Sequence, residues 1–211
     1  MAANGLDYDL KEAVRHLRRC EHMAKVIDRV GPCKLEVRGG PTLFAAVARS
    51  IAYQQLSGKA AGTIWRRVCA LFPNETPRPA AVASTSYEDL RSAGLSNAKT
   101  LAIQDLAAKT LDGTLPSRRA LNGMDDEAVI EALTQVRGVG RWTAEMILLF
   151  YVGRPDVFPV GDLGVRKGIS LAYGLDRLLE PEELEPFGDR WRPYRSVGSW
   201  YMWRVLDAET L

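Results

Sequence analysis

The stretch VRGVGRWTAEM, Val136 to Met146, sets Gly138 and Gly140 one residue apart at the head of a helical run. Glycine accepts positive φ and lets a backbone come close to its neighbour, so RGVG reads as a tight turn between two helices. The second helix then opens near Arg141 with backbone N–H groups that have no partner inside it, a place that draws a phosphate without a side chain supplying all the charge. The same turn also serves as an ordinary glycine cap in a helical bundle. Downstream, Asp162 stands directly before LGVRKGI, where an aspartate caps a helix and the helix end favours its ionised form. An ionised carboxylate stabilises positive charge developing on a substrate, or orients and deprotonates a water. Trp142, beside the turn, is either a core ring or a stacking face.

The elements that must carry these groups are helical. Leu10, Val14 and Leu17 share one face of a first helix that continues through Met23 and Ile27 to stop before Gly31-Pro32. LEVRGG reads as a short extended piece. Leu43, Val47 and Ile51 recur at helical spacing from Thr42, and KAAGTIWRRVCALF makes another helix ending at Pro73. NETPRPAAVAST is a Pro-rich connection, followed by short helices around 87–93, 97–111 and 125–136, divided by Gly94, Gly113, Pro116 and Gly138. A helix over 141–151, the loop VGRPDVFPVGD, a helix from Leu163, an acidic stretch and a final helix RWRPYRSVGSWYMWRVL complete the chain. The expected fold is all-α, many short helices in one body of two helical lobes with a central cleft, a single domain over 1–211.

Composition narrows the function. The 211 residues are 46% hydrophobic, enough for a proper core. A net charge of +2 is too mild for a nucleic-acid binder that works through a broad basic surface, so any such site must be local. Cys20, Cys33 and Cys69 lie far apart, without the paired spacing of a zinc site or an iron–sulfur cluster, and read as reduced and structural. Without a basic-then-apolar leader or an apolar run of membrane length, the sequence reads as a soluble intracellular protein.

QVRGVGRWTAEM followed by DVFPVGDLGVRKGI resembles the helix-hairpin-helix, Gly/Pro-rich loop and aspartate of the HhH-GPD superfamily of base-excision DNA glycosylases, with Asp162 lying 20 residues after Trp142. RSIAYQQLSGKAAGTIWRR and WRPYRSVGSWYMWR extend the similarity to the 3-methyladenine DNA glycosylase II branch, from about Leu17 to Arg204. The resemblance places the hairpin at about 127–151 and the loop with its aspartate at 153–162. It implies an enzyme that flips alkylated purines of the 3-methyladenine and 7-methylguanine type out of double-stranded DNA, hydrolyses the N-glycosidic bond and leaves an abasic site. Deaminated or etheno-modified bases are the alternative substrates, and a helix-hairpin-helix DNA-binding module without chemistry is the alternative class.

The resemblance also assigns residues. Asp162 becomes the catalytic carboxylate. Gly138, Gly140 and the amides from Arg141 to Thr143 hold a phosphate, with a monovalent cation, Na+ or K+, on main-chain carbonyls near Val136 and Val139. Trp142 stands where bifunctional relatives carry a lysine, which implies a monofunctional hydrolase. Trp142, Met146, Trp191 and Tyr53 would line the base pocket, Trp191 touching Asp162, while Trp200, Tyr201 and Trp203 pack in the core. Met146 departs from the aromatic of a close relative. Gln55 or Leu56, in the YQQLS loop with Ser57, would fill the gap in the base stack. Arg137, Arg141, Arg166 and Lys167 would form a basic rim. The implied protein acts as a monomer without an iron–sulfur cofactor or membrane partner, in the bacterial cytoplasm at the nucleoid, or in the nucleus of a eukaryote.

Overall fold

The computed structural model describes residues 5–38 and 40–209. Gly39, inside the expected extended piece, and the first four residues lie outside them. Thirteen α-helices follow in order: α1 (Leu10–Leu17), α2 (Glu21–Val30), α3 (Leu43–Tyr53), α4 (Gly58–Ala70), α5 (Pro79–Ala83), α6 (Tyr87–Ser92), α7 (Asn97–Leu111), α8 (Arg118–Leu121), α9 (Asp126–Thr134), α10 (Arg141–Ile147), α11 (Leu163–Ala172), α12 (Glu185–Asp189) and α13 (Arg195–Glu209). No strand occurs among the described residues, so the fold is all-α as expected, and none of their helices is long and apolar enough to cross a membrane.

The chain marks its own helix starts. Asp9, Thr42, Ser57, Ser86, Ser96, Ser117, Asp125 and Asp162 each accept a backbone N–H two or three residues on, and each such cap stabilises its helix by about 1 kcal/mol.

Four expected elements differ. The Pro-rich connection NETPRPAAVAST holds a short helix, α5, which Pro79 opens at the first helical position, where a missing N–H costs no helix bond. The first helix is two, because the chain turns at Arg18 to Cys20 and Cys20 is extended at φ −89°. Leu17 and Met23 are both buried, yet six residues apart they would face different sides of one continuous helix, and the turn brings both apolar stripes to one core. The run from Arg190 to Tyr194 is not helical, since Pro193 lacks an N–H and disfavours helix in the residue before it. Residues 141–151 begin as α10 but pass into a π-helical turn, Leu148–Val152.

The helices gather into two compact units, one of residues 1–37 and 148–211, the other of residues 38–147. In the first, α13 is the spine. Its Val197, Tyr201, Met202 and Val205 are buried with Val26 and Ile27 of α2 and with Val165 and Ile169 of α11. The contact of α11 with α13 is close because Gly164 and Gly168, one turn apart, present no side chain: a Cβ on Gly168 would lie 2.2 Å from the Met202 carbonyl oxygen. In the second unit α3 is apolar nearly all round, burying Phe44, Val47, Ala48 and Ile51, and it packs on α4, α7 and α10. Cys20, Cys33 and Cys69 are unbridged, and burial pushes the Cys33 thiol up to about 11.

Gly168→Ala drives a methyl into the backbone of α13. It is expected to destabilise by about 3 kcal/mol, a fall in Tm of roughly 6–12 °C by calorimetry for a chain of this size. A Tm within 2 °C of the parent would show that the two helices separate at little cost.

Candidate active site

Asp162 closes the Gly/Pro-rich loop and caps α11, its Oδ1 accepting the Val165 N–H at 2.8 Å. The same oxygen accepts the indole Nε1–H of Trp203 at 2.7 Å. The side chain is partly exposed, so an acid oriented by two donors still meets solvent. Gly164 makes room for this arrangement, since a Cβ there would lie 2.7 Å from Trp203 Cδ1 and 3.0 Å from Asp162 Oδ1. The loop is tied to the start of α13 as well. Ser196 Oγ donates to the Arg154 carbonyl at 2.6 Å and accepts the Val157 N–H at 3.0 Å. Arg195 reaches Asp156 Oδ1 from Nε at 2.8 Å, and Oδ2 and the Asp156 carbonyl from its second nitrogen at 2.9 Å.

The expectation for Trp191 is corrected here. That ring has no accessible surface and cannot line a pocket for a base. Gly198 admits it to the core, where Phe158 packs edge-on at 5.4 Å. Trp203, expected as a core partner, is the tryptophan that bonds Asp162. Arg166 leaves the expected basic rim for the same kind of reason: its side chain is 15% exposed, donates to the Leu179 carbonyl at 2.7 Å and pairs with Glu180. Lys167 is exposed.

In the second unit, α9 and α10 flank the glycine turn. Gly138 takes φ +72°, whereas Gly140 has no positive φ and opens onto empty space, with nothing within 4 Å of where a Cβ would stand. Neither its own φ nor a neighbour in the chain therefore requires glycine at 140. The turn is braced from α7: the Arg137 N–H donates to Asp105 Oδ2 at 2.7 Å, and Lys109 grips both oxygens of that carboxyl. Burial opposes ionisation of Asp105, but the bonds from Arg137 and Lys109 outweigh it and hold the carboxyl below its usual range. Arg141 forks onto Glu127 and also meets Glu145, so its charge is already matched within the chain.

Trp142 is 42% exposed and Met146, one turn on, is partly exposed, so both lie on one face of α10. Tyr53 lies under the Arg49 guanidinium, 4.2 Å from its ring centroid. Thr143 is buried and offers DNA no side chain. After α3, Gln55 adopts φ +54°, and both Gln55 and Leu56 are exposed ahead of the α4 cap at Ser57. Two residues here escape sequence reasoning. Gln54 donates from Nε2 to the Gly138 carbonyl at 3.0 Å and to Thr143 Oγ1 at 3.3 Å, and Lys99 donates to the carbonyls of Ala52 and Gln54. Neither carries a local signal. Gly164 does: a glycine two residues after a helix cap marks a close neighbour.

Residues 48–193 match the HhH-GPD superfamily of base excision DNA repair proteins. This chain belongs to the HhH-GPD superfamily. Among HhH-GPD relatives, the alkylbase DNA glycosidase-like protein mag2 of Schizosaccharomyces pombe is 30% identical over 94% of this chain and 95% of its own. DNA-3-methyladenine glycosylase 1 of the same yeast is 32% identical over 77% of this chain and 72% of its own. A solved structure of an S. pombe 3-methyladenine DNA glycosylase in complex with abasic DNA superposes with a TM-score of 0.86 at 29% identity, covering 93% of this chain and 97% of that one.

Trp203→Phe keeps a ring in this HhH-GPD core but deletes the N–H given to Asp162. A cost of about 1–3 kcal/mol in urea unfolding is expected for the loss of this hydrogen bond. Combined with Asp162→Ala, the two losses should sum to less than their separate values. Full additivity would mean that the bond contributes nothing in solution.

Proposed function

We propose that this chain is a monofunctional DNA glycosylase that hydrolyses the N-glycosidic bond of alkylated purines in duplex DNA and leaves an abasic site. The observation that carries the reading is the Asp162 carboxylate, partly accessible, capping α11 and held at one oxygen by Val165 and Trp203. A purine alkylated at N3 or N7 bears positive charge and departs as a neutral molecule, so no strong general acid is needed. The deoxyribose left behind gains oxocarbenium character. Asp162, already oriented, stabilises that cation and directs the attacking water to it.

The other roles follow from the placement of each residue. Backbone amides at the start of α10, with Gly140 leaving space beside them, take a phosphate; the grip carries no sequence information, as inspection of any duplex requires. Trp142, with Met146, offers the exposed face on which an electron-poor base stacks, and Gln55 or Leu56 fills the gap that flipping leaves. With Trp142 at the lysine position the route through a Schiff base is closed. The protein acts as a monomer.

The hairpin carbonyls of Val136 and Val139 suit a monovalent cation. The Val136 carbonyl accepts the Val139 N–H at 3.0 Å and keeps a second lone pair. A cation bound there would brace the turn. Exchanging K+ or Na+ for tetramethylammonium at constant ionic strength should then weaken binding to abasic duplex, and equal affinity in all three would remove the proposal.

The decisive assay incubates the protein with duplexes that each bear one alkylated, deaminated or etheno-modified base, followed by alkali. Strand breaks should appear for the alkylated purines, and only after alkali. Asp162→Asn still caps α11, so its fold is retained, while release should fall by about 100-fold or more. Release at the parental rate would rule out Asp162 as the catalytic group. Tight binding without release from any duplex would leave a DNA-binding module.

A further inference from the structure

The turn after α3 is held from two opposite sides. Lys99, in the first turn of α7, donates from Nζ to the Ala52 carbonyl at 2.9 Å and to the Gln54 carbonyl at 2.7 Å. Burial lowers its pKa, yet a cation at the carbonyl end of a helix is well placed. The Gln54 side chain runs the other way, into the hairpin, donating to Gly138 O at 3.0 Å and Thr143 Oγ1 at 3.3 Å. Thr143 is 3% exposed, so that anchor is fixed in the core. One residue later Gln55 takes φ +54°, the third position of a turn that the Leu56 N–H closes on the Tyr53 carbonyl at 3.4 Å. Gln55 and Leu56 are both exposed, so no burial of their own holds the loop tip in place. That turn is held further by Gln54, its backbone fixed by Lys99 and its side chain by the hairpin.

We infer that Gln54, with Lys99 behind it, is a positioning residue that couples the inserting loop to the phosphate-gripping hairpin, so that the two meet DNA as one part. The inference rests on the reading of the chain as a base-flipping glycosylase. Its logic is one of populations. A phosphate held at the hairpin fixes where the duplex lies, and the tip must then enter a gap of defined position. With the loop tethered, its ordering occurs on folding and not at insertion. With the tether cut, only a fraction of molecules hold the tip correctly, and apparent affinity for the opened duplex falls by that fraction.

The test is a binding measurement that needs no chemistry. The probe is a duplex with one tetrahydrofuran abasic-site analogue and 2-aminopurine as the orphan base opposite it, whose fluorescence rises when insertion disturbs its stacking. Gln54→Leu has similar bulk and no donors; it should weaken binding roughly tenfold and lower the fluorescence change, since two neutral hydrogen bonds are lost. Affinity for undamaged duplex, which reads the phosphate grip, should stay within about twofold. The tip variant Gln55→Ala/Leu56→Ala should lose a similar amount, and adding Gln54→Leu to it should cost nothing further, because no tip remains to be positioned. Lys99→Met cuts the tether from the other side and should give the same non-additive pattern; it replaces Gln54→Leu should that variant fail to fold. Losses that add fully, or parental insertion by a folded Gln54→Leu, would overturn the inference. Parental protein that neither inserts nor releases any base would instead overturn the glycosylase reading.

Discussion

The first unit depends on how closely α11 and α13 approach. Only glycines at positions 164 and 168 permit it, because a methyl at either would meet Trp203 or the Met202 backbone. Glycine inside a helix costs roughly 0.5–1 kcal/mol relative to alanine, so two of them on one face of α11 are retained against local preference. The approach puts an indole N–H within 2.7 Å of the carboxylate that caps α11. The helix end and the indole each donate a hydrogen bond to that acid and fix its direction. Orientation of the acid thus arises from core packing.

In the second unit several charged groups around the hairpin are already paired. Asp105 holds the Arg137 N–H and Lys109, while Arg141 forks onto Glu127 and meets Glu145. These pairs brace the turn. Exposed ion pairs contribute little to stability on their own. The Asp105 bond to a backbone N–H is the stronger brace, since it fixes the residue that leads into Gly138.

What could be read in advance follows from range along the chain. Asp162 as a cap and Gly138 as a left-handed turn are local matters, decided within four residues, and both stand in the structure. The choice between Trp191 and Trp203 was not local. Both occupy an aromatic-rich C-terminal stretch, and only the crossing of α13 over α11, 41 residues from Asp162, selects the second. Gln54 sits beside an identical residue whose exposure differs, and its partners lie 84 and 89 residues away. The break between α1 and α2 was partly legible, as the change of phase between Leu17 and Met23, but the absence of glycine or proline there let one long helix stand as the simpler reading. Pro193 carried a plain signal against a single final helix.

The residues that break local rules cluster where function is placed. A helix interior prefers alanine to glycine, yet Gly164 and Gly168 stand beneath the carboxylate. A loop prefers glycine at positive φ, yet Gln55 holds φ +54° at the exposed tip after α3. A glycine at 55 would relieve that strain and discard the side chain. An alanine at 164 would improve the helix and push the indole off the acid. In both places the chain keeps the locally worse residue, and neighbours at long range, Trp203 in one unit and Gln54 with Lys99 in the other, hold the resulting conformation. Such conflicts between local preference and global structure are the marks by which sites are distinguished from scaffold. Here they identify an oriented acid and a tethered loop as the two parts whose geometry the remaining helices exist to maintain.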